Sequence, residues 1–316
     1  MEKKIIYETS SLYRDQFRVR GYEFGHGKKS ACIVGNIRGN EIQQIYICSQ
    51  LVKKLKSLEG QGRIKNGCSI LIIPSLNPYS VNSQERFWPT DKTDINRMFP
   101  GYSLGETTQR IAAGIFQVIK DYELGMQFAS FYMPGRFIPH VRMMQTGFER
   151  VDMAKQFGMP YVVLRKIRPY DTTTLNYNWQ IWETKAFSIY STSTAEIDKK
   201  SAAEAIHSVL RFLGKQRILE YHTHDGYQSS VVTDSDMISV RTKTAGIFES
   251  KVQVGEEIGK GQLLAEIIDP LEGEVKEELR APVDGIIFFG HNEPLTYANT
   301  AVFKIVADQG GRCPNL

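Results

Sequence analysis

Three segments in the first half of the chain gather side chains with chemistry to offer. Gly35-Asn36-Ile37-Arg38-Gly39-Asn40-Glu41 sets a guanidinium three residues from a carboxylate inside a glycine-flanked loop, the kind of loop on which open α/β sheets place ligands. Asp94-Ile95-Asn96-Arg97-Met98-Phe99-Pro100-Gly101 is polar and ends on a proline-glycine stop, which gives Arg97 a rigid setting for two-point carboxylate binding. A third stretch runs from Met126-Gln127-Phe128-Ala129-Ser130 to Pro134-Gly135-Arg136-Phe137-Ile138-Pro139-His140-Val141-Arg142. Each has a plainer reading taken alone: glycine can simply make a turn, and a single arginine can form a surface ion pair.

The imidazoles are His26, His140, His207, His222, His224 and His291. His222-Thr223-His224-Asp225 is the one local group that invites a metal, but alternate positions on a strand would point its histidines to opposite faces. His140 is expected to shape a pocket. Cys32, Cys48, Cys68 and Cys313 have no CxxC spacing, so free thiols are expected.

Positioning these residues requires a sheet. Ser30–Gly35, Cys68–Pro74, Leu124–Ser130, Tyr161–Leu164 and Phe187–Ser191 are apolar runs of strand length. Asn40–Leu58, Glu106–Tyr122, Phe148–Phe157 and Ala202–Leu213 carry helical spacing between them. Apolar strands alternating with helices predict a mixed, mostly parallel sheet flanked by helices over residues 1–220. From 221 to 310 the text changes to short β-runs with turns, such as Ala245–Phe248, Lys251–Gly255, Gly261–Ile267 and Ala281–Ile287, which predicts an all-β domain. Residues 311–316 read as a tail. The β-runs resemble the barrel-sandwich fold of lipoyl and biotinyl carriers, but Asp269-Pro270-Leu271-Glu272-Gly273 has no lysine at the turn. An accessory role is therefore expected.

A net charge of +4, dispersed along the chain, gives no basis for nucleic-acid binding. Nor is there an apolar run of membrane-spanning or signal-peptide length. A cytoplasmic location is the resulting expectation.

In this order and spacing, the three segments resemble the succinylglutamate desuccinylase/aspartoacylase family, relatives of the zinc carboxypeptidases. Its signatures are Gly-x-His-Gly-Asn-Glu, Asp-x-Asn-Arg-x-Phe-Pro-Gly and Asp-Leu-His. The middle one is matched in full, and Pro74-Ser75-Leu76-Asn77-Pro78 and Arg86-Phe87 also resemble the family. The resemblance implies a zinc carboxypeptidase-like fold and a hydrolase of N-acyl amino acids. In that family two histidines and a glutamate hold zinc, leaving an open position for water. Here the histidine positions carry Arg38 and Gln127, the aspartate beside the second is Gly125, and only Glu41 is retained. The family's general-base glutamate aligns approximately with Tyr190 in Ser188-Ile189-Tyr190-Ser191-Thr192, a weak base near neutrality.

Arginine offers a metal no lone pair and glutamine is a poor zinc ligand, so no metal or other cofactor is expected. The Arg38 guanidinium could instead stand where the cation stood and pair with Glu41. Asn96, Arg97, Arg38, Glu41, Gln127, Arg86, Arg136 and Arg142 are then the candidate binding residues for a small carboxylate or N-acyl amino acid. The leading expectation is a non-catalytic binding or regulatory subunit, a pseudoenzyme paired with an active paralogue or with itself. A purely structural Arg38–Glu41 pair is the plainer version. The alternative is a hydrolase using zinc on relocated or interface-borrowed ligands. Pro169–Glu183, dense in Tyr, Asn and Trp, is either a recognition surface, with Tyr177, Trp179 and Trp182 as contacts, or a cap on the core.

Overall fold

A computed structural model describes residues 1–10 and 16–308; the expected tail at 311–316 and Cys313 lie outside them. The strands of the first part are β1 (Glu2–Thr9), β2 (Phe17–Gly25), β3 (Gly27–Asn36), β4 (Gly67–Ser75), β5 (Leu124–Ala129), β6 (Arg136–Phe137), β7 (His140–Met144), β8 (Tyr161–Arg165), β9 (Lys185–Tyr190) and β10 (Ser230–Thr233). All but β6 form one sheet in the order β1-β2-β4-β3-β5-β9-β7-β8-β10. Its middle is parallel (β4, β3, β5, β9), and antiparallel pairing enters at β1/β2, β2/β4 and β7/β9.

The helices are α1 (Ile42–Gly60), α2 (Pro78–Ser83), α3 (Thr107–Ile119), α4 (Val151–Ala154), α5 (Leu175–Ile181) and α6 (Lys199–Lys215). One core layer packs Ile47, Leu51 and Leu55 of α1 with Val209 and Phe212 of α6 against Ile33, Met126 and Phe187. The other packs Ile111, Ile115 and Phe116 of α3 with Trp179 against Cys32, Val34 and Ile73. Neighbouring strand residues thus feed opposite layers, and the central strands read as unbroken apolar runs because both faces are covered.

The remaining strands are β11 (Met237–Arg241), β12 (Gly246–Ser250), β13 (Glu257–Ile258), β14 (Leu263–Ile268), β15 (Val275–Arg280), β16 (Gly285–Gly290), β17 (Leu295–Thr296) and β18 (Ala301–Ala307). They build two antiparallel sheets, β11-β18-β16-β13 and β15-β14-β12-β17, around Phe248, Leu264, Ile267, Ile287 and Phe303.

Several expectations need correction in detail. The β1–β2 hairpin and strand β7 have no counterpart among the predicted elements. Phe148–Phe157 yields only the single turn α4 and a 3-10 turn at Lys155–Phe157, closed by Gly158 in the left-handed region. Lys251–Gly255 is a bend and turn rather than a strand. The change of sequence pattern near 220 also precedes the end of the sheet, because β10 pairs in parallel with β8. The β-region is tied to the α/β part by β6, which pairs with β16, and by Phe131, Phe137 and Tyr190 packing with Phe288 and Phe289.

Candidate functional site

Chain direction brings the ends of β3, β5 and β9 to one edge of the sheet. Register then aligns Gln127 of β5 with Ser188 of β9, and Ser188 with Arg142 of β7. Two residues along, a second rung aligns Ala129, Tyr190 and His140. Loops complete the surround. Gly39 lies so close to α2 that a Cβ would sit 2.1 Å from the Ser80 carbonyl oxygen, which fixes the path of the Arg38–Glu41 turn. Gly101, at φ +92, passes the backbone of Ala113 on α3 in the same tight manner and anchors the Asp94–Gly101 segment.

Glu41 is fully buried and its four acceptor positions are taken. Oε2 accepts from the backbone N–H groups of Ile37 (3.0 Å) and Arg38 (3.1 Å), and Oε1 from Arg38 Nη1 (3.2 Å) and Ser130 Oγ (2.7 Å). Arg38 reaches further than Glu41, with Nε donating to Asp94 Oδ1 (3.2 Å) and Oδ2 (3.0 Å). Arg86 Nη2 adds a second cation on Asp94 Oδ2 at 3.2 Å, and Asn96 N donates to Oδ1. Burial works against the Asp94 charge, but the two guanidiniums hold its carboxyl below the usual carboxylate range. The result is a closed cluster of two carboxylates and two guanidiniums.

That donor set does not suit zinc. Glu41 has no acceptor position to spare, a permanent cation stands beside it, and Gln127, at the position where the resemblance implies a histidine, supplies only a neutral amide. Among the described residues, no three His, Cys, Asp or Glu side chains come together in a way that could hold a metal ion. His222 and His224 are both exposed on an irregular segment rather than on a strand.

Beside the cluster lies a cavity of about 120 Å³. Its lining brings together the candidate residues Arg38, Arg86, Asn96, Arg97, Gln127 and Arg142, and also Tyr190. Six cations line it in all, since Arg165 and Lys304 join the four arginines. Arg38 and Arg86 are matched by Asp94, while Arg165 (3.2 Å) and Arg97 (4.0 Å) face Asp171.

Arg142 has no carboxylate partner among the described residues. Its Nη1 donates to Tyr190 Oη (3.1 Å), its Nη2 lies 3.4 Å from His140 Nε2, and its Nε is buried without a partner. Its guanidinium carbon sits 4.4 Å from the Tyr190 ring centre and 4.7 Å from that of Phe131. His140 stacks on Tyr190 at 4.4 Å and engages the Ile138 carbonyl through Nδ1. Burial first, and Arg142 second, push this imidazole well below its ordinary value, so it is neutral with Nε2 as acceptor toward Arg142. Gln127 Oε1 and Asn176 Nδ2 are two further buried, unpartnered polar atoms on residues of the cavity wall.

Arg136 must be withdrawn from the candidate pocket. It pairs with Glu196 (3.6 Å) and Asp198 (3.9 Å) and lines a separate cleft toward the β-region, because β6 carries it away to pair with β16. Of the aromatic candidates, Trp179 is fully buried and its Nε1 donates to the Ile119 carbonyl (3.2 Å), while Trp182 packs edge-on against Phe116. The segment's contribution to the cavity is instead Tyr170, Asp171, Thr174 and Asn176. Sequence reasoning also missed Asp94 as the partner of Arg38, although it begins the matched octet. Arg165 carried a faint signal, a cation at the end of an apolar strand; Lys304 carried none.

Comparisons with known proteins follow the same line as the geometry. A family model described as the succinylglutamate desuccinylase/aspartoacylase catalytic domain matches residues 27–213, more than half of the chain. An N-alpha-acetyl-L-2,4-diaminobutyric acid deacetylase of Halomonas elongata is 23% identical over 273 residues, spanning 82% of this chain and 76% of that protein. Among solved structures, a succinylglutamate desuccinylase from Silicibacter sp. TM1040 superposes with a TM-score of 0.82 at 18% identity, covering 97% of this chain and 94% of the other. The product-bound ectoine utilization protein EutE (DoeB) of Ruegeria pomeroyi does so with a TM-score of 0.79 at 18% identity, covering 96% and 98%. At such identities the superpositions speak for the fold.

Proposed function

We propose that this chain, which belongs to the succinylglutamate desuccinylase/aspartoacylase family, is a non-catalytic member that binds a small carboxylate or N-acyl amino acid. The observation that carries this reading is Arg142, a buried guanidinium on the cavity wall without a carboxylate partner among the described residues. A buried charge left uncompensated is costly, and an anionic ligand would supply the missing partner. Arg142, with Arg97 and Asn96 on the same wall, suits binding of a carboxylate at more than one point.

Loss of hydrolysis follows from chemistry at the other end of the cavity. Water is activated in this family by a metal, and the positions that would hold one carry Arg38 and Gln127. A ligand held there meets a fixed guanidinium and a neutral amide. Such a protein would serve as a regulatory subunit, alone or beside an active relative.

The relatives' deacetylase and desuccinylase names favour a second reading, in which this chain cleaves the amide of a small N-acyl amino acid with metal held by relocated or interface-borrowed ligands. Zinc content separates the two. The gently purified chain is expected to hold far less than one zinc per protein, and an Arg38→His/Gln127→His variant to gain it. Near-stoichiometric zinc in the unmodified chain, with turnover of N-acetylated amino acids, would overturn the non-catalytic reading. Calorimetric titration with N-acetyl amino acids tests the pocket directly, with binding weakened at least about tenfold by Arg142→Gln.

A further inference from the structure

Lys304 is the second cation of the cavity without a carboxylate partner, and it differs from the arginines in being able to act as a nucleophile. It enters from β18, so the β-region supplies this one charged group to a cavity otherwise built by the α/β part. Its side chain is half-buried, and Nζ lies 5.3 Å from the centre of the Phe131 ring, the ring that Arg142 also faces. No hydrogen bond or ion pair to another described residue occupies the amine. We propose that Lys304 is a covalent capture site, forming a reversible imine with a small anion that carries an aldehyde or ketone and is held by Arg142.

The inference rests on the anion-binding reading of the cavity and narrows its ligand class. Three features support it. A lysine that is desolvated and set beside another cation is the arrangement that makes an amine nucleophilic near neutrality. Burial, then Arg142, with smaller effects from Arg165 and Arg168 and an opposing one from Asp234, push the Lys304 ammonium down to about 8. The neutral fraction at pH 7.5 is then roughly two orders of magnitude above that of an ordinary lysine. Finally, the cavity is small, at about 120 Å³. That space suits a two- or three-carbon oxo acid better than a large cofactor.

The step balances without any oxidant or reductant. The Nζ lone pair attacks the carbonyl carbon and the nitrogen's protons pass to the carbonyl oxygen. The carbon–oxygen bond then breaks, water leaves, and a carbon–nitrogen double bond remains. The ligand's carboxylate stays on Arg142 throughout, which makes the attack effectively intramolecular.

Glyoxylate is the probe, with cyanoborohydride added to trap the imine as a stable amine, and peptide mass mapping is the readout. Trapping at Lys304 is expected to be at least about tenfold faster than at surface lysines, with a midpoint near pH 8. It should vanish in Lys304→Met, and its pH midpoint should move upward in Arg142→Gln. Malonate, which has carboxylates but no electrophilic carbonyl, is titrated in parallel and used as competitor. Malonate binding without preferential trapping at Lys304 would overturn the covalent site and leave the anion pocket standing. Absence of both would remove the pocket reading as well. The wild-type mapping decides the matter even if a variant fails to fold.

Discussion

Arg38 is a permanent cation held between two buried carboxylates. Its guanidinium is shared between Glu41 and Asp94 and is buried with them. Removing one member of such a group strands the others. Arg38→Met is therefore expected to lower stability by about 3 kcal/mol, read as a shift in the denaturant midpoint at unchanged slope. A purely solvent-exposed pair would give a loss of at most about 1 kcal/mol, and that outcome would refute the buried-cluster account. His140 gives a pH signature. Its folded pKa lies well below its unfolded value of about 6.5. As pH falls below that value the unfolded chain takes up a proton that the folded chain does not, so stability declines. His140→Gln should flatten the stability curve below about pH 6.5 relative to the wild type; an unchanged slope would mean the imidazole charges in the folded state.

At the scale of elements, the segment from Pro169 to Glu183 divides its residues between two jobs. The helix α5 begins at Thr174, whose side chain accepts from Tyr177 N, and it points Trp179 into the core while Asn176 lines the cavity. Asn178 locks the segment to the site motif, its Nδ2 donating to the Phe99 carbonyl (3.0 Å). Asn96 does the same from the other side, its Oδ1 accepting from Leu175 N (3.0 Å). Trp179→Ala should therefore cost about 3–5 kcal/mol of stability, while Trp182→Ala, nearly half-exposed, should cost about 1 kcal/mol or less. Equal costs, measured by thermal and denaturant unfolding, would contradict this division.

Over the whole molecule, the α/β and β parts share a core. Phe131, Phe137, Ile138 and Tyr161 from one side interlock with Ile286, Phe288, Phe289 and Val306 from the other. The β6–β16 pairing adds backbone hydrogen bonds to that contact. Unfolding should be a single cooperative transition, with Phe288→Ala lowering its midpoint and weakening anion binding together. Two separate transitions, one for each part, would show that the shared core is weaker than its burial implies. The same interface delivers Lys304, so the cavity exists in full only when both parts are docked.

The alternation of apolar strands and helices fixed the α/β class and its C-terminal β companion, because burial on both faces writes unbroken apolar runs into the text. The Arg38–Glu41 spacing and the Asp94–Gly101 octet located the site motifs for a similar reason, since local loop geometry is set by nearby residues. Strands β1, β2 and β7 were not legible as apolar runs, because β1 and β2 interleave charged residues with apolar ones and β7 carries His140 and Arg142. Only tertiary structure joined Asp94 to Arg38 across 56 positions. It also decided the Gln127–Ser188–Arg142 rung, the departure of Arg136 on β6 and the arrival of Lys304 on β18. Strand register and domain docking depend on the whole sheet closing at once, and no window of sequence contains that information.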